Sequence, residues 1–380
     1  MSNSWPQTRL GDHASLLVGF AFKSSGFTET GPGIRLVRGD NVTEGSLRWG
    51  EKTRYWPNCT AELRRYLLRP GDIVIGMDGS KVGRNWAIVR KSDLPLLLVQ
   101  RVACLRASES LDQRFLAVLI RSESFKKYVD AIQTGSSIPH ISGGQIADFA
   151  FNIPPISEQQ AIGKLLGVID DKIEINRWMN ETLEAMALAI FKSWFIDFDP
   201  VRAKMEGRSI GLSPEIEAHF PNSFQESQLG KMPKGWSSQP LPKVIQINPI
   251  RTLAKNQSAP YLDMKNMPTQ GPRPSEWVLR TFGSGVKFIN GDTLIARITP
   301  CLENGKTAFV DFLQEGEVGW GSTEYIVIRP LAPLPLEYGY FLARNEDFRS
   351  FAIQNMTGSS GPQRVPPDCF SKYHLAIPPA

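Results

Sequence analysis

The chain has 380 residues, enough for two hydrophobic cores, and its 41% hydrophobic and 21% charged residues exclude a disordered or fibrous polypeptide. No apolar run approaches the roughly 18 residues of a membrane span, and the opening "MSNSWPQTRL" lacks a secretory signal's apolar stretch. The four cysteines (Cys59, Cys104, Cys301, Cys369) are scattered, with no CxxC pair and no histidine at ligand spacing, so they read as buried thiols of a cytoplasmic protein rather than a disulfide framework or metal site. The net charge of +5 is uneven: residues 1–156 hold 20 Lys and Arg against 14 Asp and Glu, residues 157–206 hold 6 against 9, and residues 207–380 hold 17 against 15. Basic flanks around an acidic middle are compatible with a polyanionic partner but do not demand one.

In chain order, "LLRPGDIVIGMDGSKVGRNWAIV" (67–89) reads as an alternating strand, a glycine-containing turn and a second strand. "RFLAVLIRSESFKKYVDAIQTGSS" (114–137) is an amphipathic helix followed by a polar loop, and "NIPP" closes the unit. A second copy follows: "VKFINGDTLIARITPCLENGKTAFV" (286–310), "EYGYFLARNEDFRSFAIQNMTGSS" (337–360) and "AIPP". The offset between matched anchors is nearly constant, 220 from Gly71 to Gly291, 223 from Thr134 to Thr357 and 224 from Ile153 to Ile377. One fold is used twice.

Between the copies, Ser157 and Gln160 have capping-box spacing, and the two preceding prolines suit a helix boundary. Ile162, Leu166, Ile169, Ile173, Asn176, Asn180, Leu183, Ala187, Ile190 and Trp194 then recur in steps of four and three, a heptad seam. About 38 helical residues make a helix roughly 57 Å long. Its apolar positions Ile162, Leu166, Ile169, Ile173, Leu183, Ile190 and Trp194 are the expected surface for a partner helix. The expected fold is α/β (α+β), with two similar domains joined by a long coiled-coil-type helix: residues 1–156, the helix 157–199, a linker 200–235 and residues 236–380.

Catalytic motifs are missing. There is no GxxxxGK[ST] loop; "GMDGSKVG" (76–83) lacks its spacing and reads as a hairpin turn. No NPPY-like tetrad marks a methyltransferase, and acidic-x-Lys triplets such as "DMK" (263–265) have no second carboxylate on a convincing strand. No catalytic residue, cofactor or metal ligand is assigned.

The segments "IPPISEQQAIGKLLGVIDDKIEINRWMN" and "MNETLEAMALAIFKSWFIDFDPVRAKMEG" (179–207) resemble the central conserved region of type I restriction–modification DNA specificity subunits. "SFQESQLGKMPKGW" (223–236) resembles the entrance to that family's second target-recognition domain. The resemblance implies a non-catalytic reader of double-stranded DNA: each domain recognises half of a bipartite site, the helical region docks methyltransferase (M) subunits, and restriction/translocase (R) subunits complete the complex. The family adds a second helix after the second IPP phrase, and the sequence here stops at Ala380. The expected cover for the exposed seam is therefore a methyltransferase subunit or the same helix of a second copy, an isologous homodimer. Alternatives are a recognition subunit of a type IIB-like system, a metal-dependent endonuclease, and a two-lobed scaffold or adaptor that binds no DNA.

DNA reading requires cations for phosphates and forked or amide side chains for base edges. In the first copy, "VRGDNV" (37–42) offers Arg38 and Asn41, the hairpin turn offers Lys81, Arg84 and Asn85, and the TGSS loop offers Ser136, Ser137 and His140. In the second, the corresponding sets are Lys265 and Asn266; Arg297, Asn304 and Lys306; and Ser359, Ser360, Gln363 and Arg364. A solvated turn accounts for any one of these residues as well as a DNA contact does. Their equivalent placement in both copies favours the loops as sets.

Overall fold

The computed structural model describes residues 5–50, 52–79, 81–135, 139–358 and 361–379. It divides into two compact units, Met1–Ile175 and Asn176–Ala380. No helix among the described residues is long and apolar enough to cross a membrane.

The first unit is built on a four-stranded antiparallel sheet in the spatial order Ala14–Val18, Val102–Ala107, Ile73–Gly76, Trp86–Ile88. Its central strands do not have one wet face, as an alternating pattern would imply. Ile73, Ile75, Ala103 and Leu105 face a core shared with the helices Gln113–Arg121 and Glu123–Ile132, while Val74, Val102 and Cys104 face a second core. That second core lies beneath a three-stranded sheet in which Ile34–Val37 and Leu96–Leu98 run parallel. Burial on both faces explains the unbroken apolar runs "IVI" and "LLLV". Gln7–Arg9 pairs antiparallel with Ala150–Asn152, and the Ile153 amide donates to Pro6 O at 2.9 Å. The first IPP phrase therefore ends the unit's closing strand, because proline cannot extend the ladder.

The second unit repeats this topology. Its antiparallel sheet has the order Ile245–Ile247, Tyr325–Pro330, Thr293–Ala296, Thr307–Phe309, and Ser258–Leu262 runs parallel to Gly319–Gly321 in a second sheet. The helices Glu337–Arg344 and Glu346–Gln354 cover one core, and His374–Ile377 pairs with Ser237–Pro240 as the closing strand. Both units also repeat a buried acid that no motif had marked. Asp72 accepts from Arg106 Nε and Nη2, both at 2.7 Å. Asp292 accepts from Arg329 at 2.7 Å and Arg251 at 3.2 Å. Each acid follows a glycine held at positive φ, +90° at Gly71 and +86° at Gly291. The segment 200–235, expected as a linker, carries folded elements: the helix Asp199–Met205 and the hairpin Phe224–Ser227/Gly230–Pro233 share a small core of Val201, Phe220, Met232 and Trp236.

One helix, Ile156–Phe195, runs for 40 residues, about 60 Å. Its first turn is fixed through Gln159 rather than Gln160: the buried Gln159 amide accepts from Asp112 N at 2.8 Å and donates to Pro154 O at 2.9 Å and Ser110 O at 3.2 Å. Gly163 permits close approach to the first unit, since a Cβ there would fall 2.8 Å from Asp112 Oδ1. Arg121 pairs with Asp170 at 2.6 Å and Arg90 with Glu174 at 2.7 Å. In the second unit, Phe191 is buried against Tyr338, and Tyr340 hydrogen-bonds Glu184 with Arg344 beside them.

The expected seam is split between two environments. Ile162 packs on the first unit's core, Leu166 is half-buried, and Trp194 packs on Phe220 at 5.4 Å between ring centroids. Ile169, Ile173, Leu183 and Ile190 are exposed. Each unit covers only the stretch of helix that its own core reaches, so positions on one heptad line meet different surroundings. The exposed apolar side comprises Leu165, Val168, Ile169, Ile173 and Ile175 in the first unit, and Met179, Leu183, Met186 and Ile190 in the second. The cysteines are free thiols, with Cys104 and Cys369 buried; Cys59 and Cys301, expected inside, are only half-buried.

Candidate nucleic-acid interface

In the first unit, three loops converge on an open cleft of about 750 Å³. The 3-10 turn Gly39–Asn41, the hairpin turn before Trp86 and the turn entering Val102–Ala107 bring together Arg38, Lys81 and Asn85. They also bring Arg48, Gln100 and Arg101, which the sequence reading missed. Four cations, Arg38, Arg48, Lys81 and Arg101, share the lining with Asp40, Glu44 and Asp78. Arg38 lies 3.7 Å from Asp40 and 5.7 Å from the Phe27 ring centroid, and Arg101 Nη1 lies 3.1 Å from Asp78 Oδ2. Positive side chains suit phosphates, and Asn85 and Gln100 supply amides of the kind that read base edges.

Other expected contacts are placed differently. Asn41 is buried: its Oδ1 accepts from Arg38 N at 3.2 Å and its Nδ2 donates to Arg48 O at 3.1 Å, so it braces the loop instead of facing the cleft. Arg84 is exposed but engaged with Asp130 at 3.1 Å. His140 is exposed at the edge of the cleft, pairing with Asp78 and Thr134 through backbone bridges, and its ring lies 3.1 Å from Thr134 Oγ1. Ser136, Ser137, Ser359 and Ser360 lie outside the described residues.

The second unit has the same loops. Lys265 is exposed on the turn Met264–Asn266, with Asn266 half-buried beside it. Lys306 Nζ donates to Met264 O at 2.6 Å, so it ties the hairpin to that turn. Asn304 and Gln363 are exposed, whereas Arg297 is half-buried, with its Nε lacking a hydrogen-bond partner among the described residues. Arg364 occupies the place of His140, bridging Ile298 and Thr357, and its Nε donates to Glu324 at 2.8 Å. The ion pair near the turn is reversed between units: Arg101 with Asp78 in the first, Glu324 with Arg364 in the second.

Groups whose acidity burial alters sit in the cores. Burial, reinforced by the charge of Asp72, pushes the Cys104 thiol up to about 12, and burial pushes the Tyr373 phenol up to about 12. Among the described residues there is no cluster of His, Cys, Asp and Glu that could hold a metal ion. The arrangement presents charge and hydrogen-bonding groups on loops over rigid sheets.

Residues 54–185 match the type I restriction modification DNA specificity domain. The chain is similar to the EcoAI type I restriction enzyme specificity subunit of Escherichia coli, 35% identical over 167 residues that make up 43% of this chain and 28% of that protein. It is similar to the MjaVIII type I restriction enzyme specificity subunit of Methanocaldococcus jannaschii, 31% identical over 184 residues, 47% of this chain and 43% of that protein. The matched stretches thus span less than half of these relatives. A crystal structure of a type I restriction–modification system S subunit from M. genitalium aligns over 100% of this chain and 86% of its own, at 13% identity and a TM-score of 0.49.

Proposed function

We propose that this chain is a member of the type I restriction–modification DNA specificity family, whose domain residues 54–185 match, and is the non-catalytic subunit that selects the DNA sequence on which such a complex acts. The observation that carries the reading is the duplication. Two units share one strand order, and each projects equivalent polar loops carrying cations and amides. A repeated reader suits a bipartite double-stranded site, each unit taking one half. Arg38, Lys81 and Asn85 are the proposed contacts of the first unit, with Arg84 and His140 flanking them; Lys265, Asn266, Asn304, Gln363 and Arg364 are those of the second. Residues 1–156 and 236–380 would be the two recognition domains.

The exposed apolar side of the long helix supports docking of a helical partner. Leaving Leu183, Met186 and Ile190 in water forgoes roughly 1.5–3 kcal/mol for each that a partner could bury. We assign this side to methyltransferase subunits, with a second copy of the chain as the competing occupant; restriction/translocase subunits would join the resulting complex in the cytoplasm. Sedimentation over a wide concentration range separates the two, because a chain that stays monomeric leaves only the methyltransferase assignment.

The reader role is tested by selecting bound duplexes from a random library with the full chain. Two short conserved blocks should be enriched, and affinity should fall with salt in proportion to the phosphates contacted. No enriched sequence, or a single block, refutes the bipartite reading.

A further inference from the structure

We propose that Arg101 reads a base for the first unit, an inference that rests on the DNA-reading role above. Arg101 is the third residue of the turn Val99–Val102, which is closed by Val102 N donating to Val99 O at 3.2 Å, and it holds φ at +68°. Glycine adopts that conformation freely, whereas a residue with a Cβ is strained there. A glycine would serve this turn better, so the arginine needs a reason outside the turn.

The side chain supplies one. It is 66% exposed at the cleft that also holds Lys81, Asn85 and Gln100. Its origin is fixed, because Arg101 O accepts from Met77 N at 2.9 Å. Its direction is set by Asp78, which accepts from Nη1 at 3.1 Å and leaves Nε and Nη2 for a ligand. A forked donor held in place suits the paired acceptors O6 and N7 of guanine in the major groove.

The second unit shows that the scaffold does not require arginine here. In its turn Ser322–Tyr325, Tyr325 N donates to Ser322 O at 3.3 Å, and Glu324 O accepts from Arg297 N at 3.0 Å, the counterpart of the Met77 bond. The backbone hydrogen bonds are kept, the positive φ is confined to Arg101, and the side-chain charge is inverted. One hydrogen-bonded junction bearing opposite side chains is what a specificity position looks like when two readers of one design face different bases.

The test is Arg101→Gly in the full chain, used in the same random-duplex selection. Glycine suits the turn, so the thermal midpoint should be unchanged or higher while discrimination at one base pair of one block falls about tenfold or more. Arg101→Lys keeps the charge but loses the fork and should lose the same position. Enrichment of the wild-type sequence at every position by both variants overturns the proposal. So does uniform weakening with an unchanged sequence and a salt slope reduced by about one, the mark of a phosphate contact. If wild-type protein enriches nothing, the reader role itself falls and takes this inference with it.

Discussion

Asp292 is fully buried, and its carboxylate accepts from Ile289 N at 2.9 Å, Arg329 Nη1 at 2.7 Å and Arg251 Nη2 at 3.2 Å. Replacing it with alanine strips three donors of their acceptor, two of them charged and each hydrogen-bonded pair worth about 1.5–3 kcal/mol. It also leaves two guanidinium groups facing each other without a counter-charge. Those side chains are 16% and 24% exposed, so both can turn partly toward water. The net loss should therefore stay near the ~3–5 kcal/mol typical of breaking a buried pair. Hydrogen exchange read by mass spectrometry would locate it. Protection in Thr293–Ala296 and Tyr325–Pro330 should drop by about a hundredfold or more, since each ~1.4 kcal/mol is a factor of ten. The first unit's sheet, Ile73–Gly76 and Val102–Ala107, should keep its protection. Asp292→Asn, which retains one acceptor oxygen, should lose about half as much free energy. A change below tenfold in the second unit for Asp292→Ala would show that the arginines are solvated well enough to need no acid, and the reasoning would fail.

Gln159→Ala should cost about 2–4 kcal/mol in denaturant titration, because it orphans Asp112 N, Pro154 O and Ser110 O at the start of the long helix; a loss under 1 kcal/mol would mean water replaces the amide. Gly83→Ala should destabilise the first unit by about 2–4 kcal/mol, since φ is +71° and the new Cβ would lie 2.5 Å from Val129 Cγ1; an unchanged thermal midpoint contradicts this. Alkali should weaken the second unit: burial raises the phenols of Tyr325, Tyr338, Tyr340 and Tyr373, so above pH about 10 the unfolded chain releases protons that the folded chain keeps. Stability should fall by up to ~1.4 kcal/mol per pH unit for each phenol as pH rises, and a urea midpoint equal at pH 9 and pH 11 would refute it. Cys104, with its thiol raised to about 12, should resist alkylation at pH 8 until the chain unfolds, while the half-buried Cys59 reacts.

Repetition was legible in the sequence because it is a one-dimensional property. The anchors Gly71 and Gly291, Thr134 and Thr357, and the two IPP phrases keep their spacing whatever the chain does in space. The long helix was legible for a similar reason: periodicity and the lack of proline over Ile156–Phe195 are local, and local propensity summed over 40 residues outweighs any single contact. Which side of that helix is covered was not local. Heptad counting put Ile162 and Ile190 on one line, but the reach of each unit's own core decided that the first is packed and the second exposed. Loop chemistry was legible only as a set. Asn41 and Arg38 are near neighbours in one motif, yet Asn41 turns inward as a brace, bonded to the backbone of Arg38 and Arg48, while Arg38, extended at the start of the 3-10 turn, faces the cleft. Arg101 carried no signal at all. Its place depends on a left-handed turn, and nothing in "LVQRVA" announces positive φ at an arginine. That turn joins strands of two different sheets, an arrangement set by residues far away in the chain, and the matching junction of the second unit is made without positive φ at Glu324.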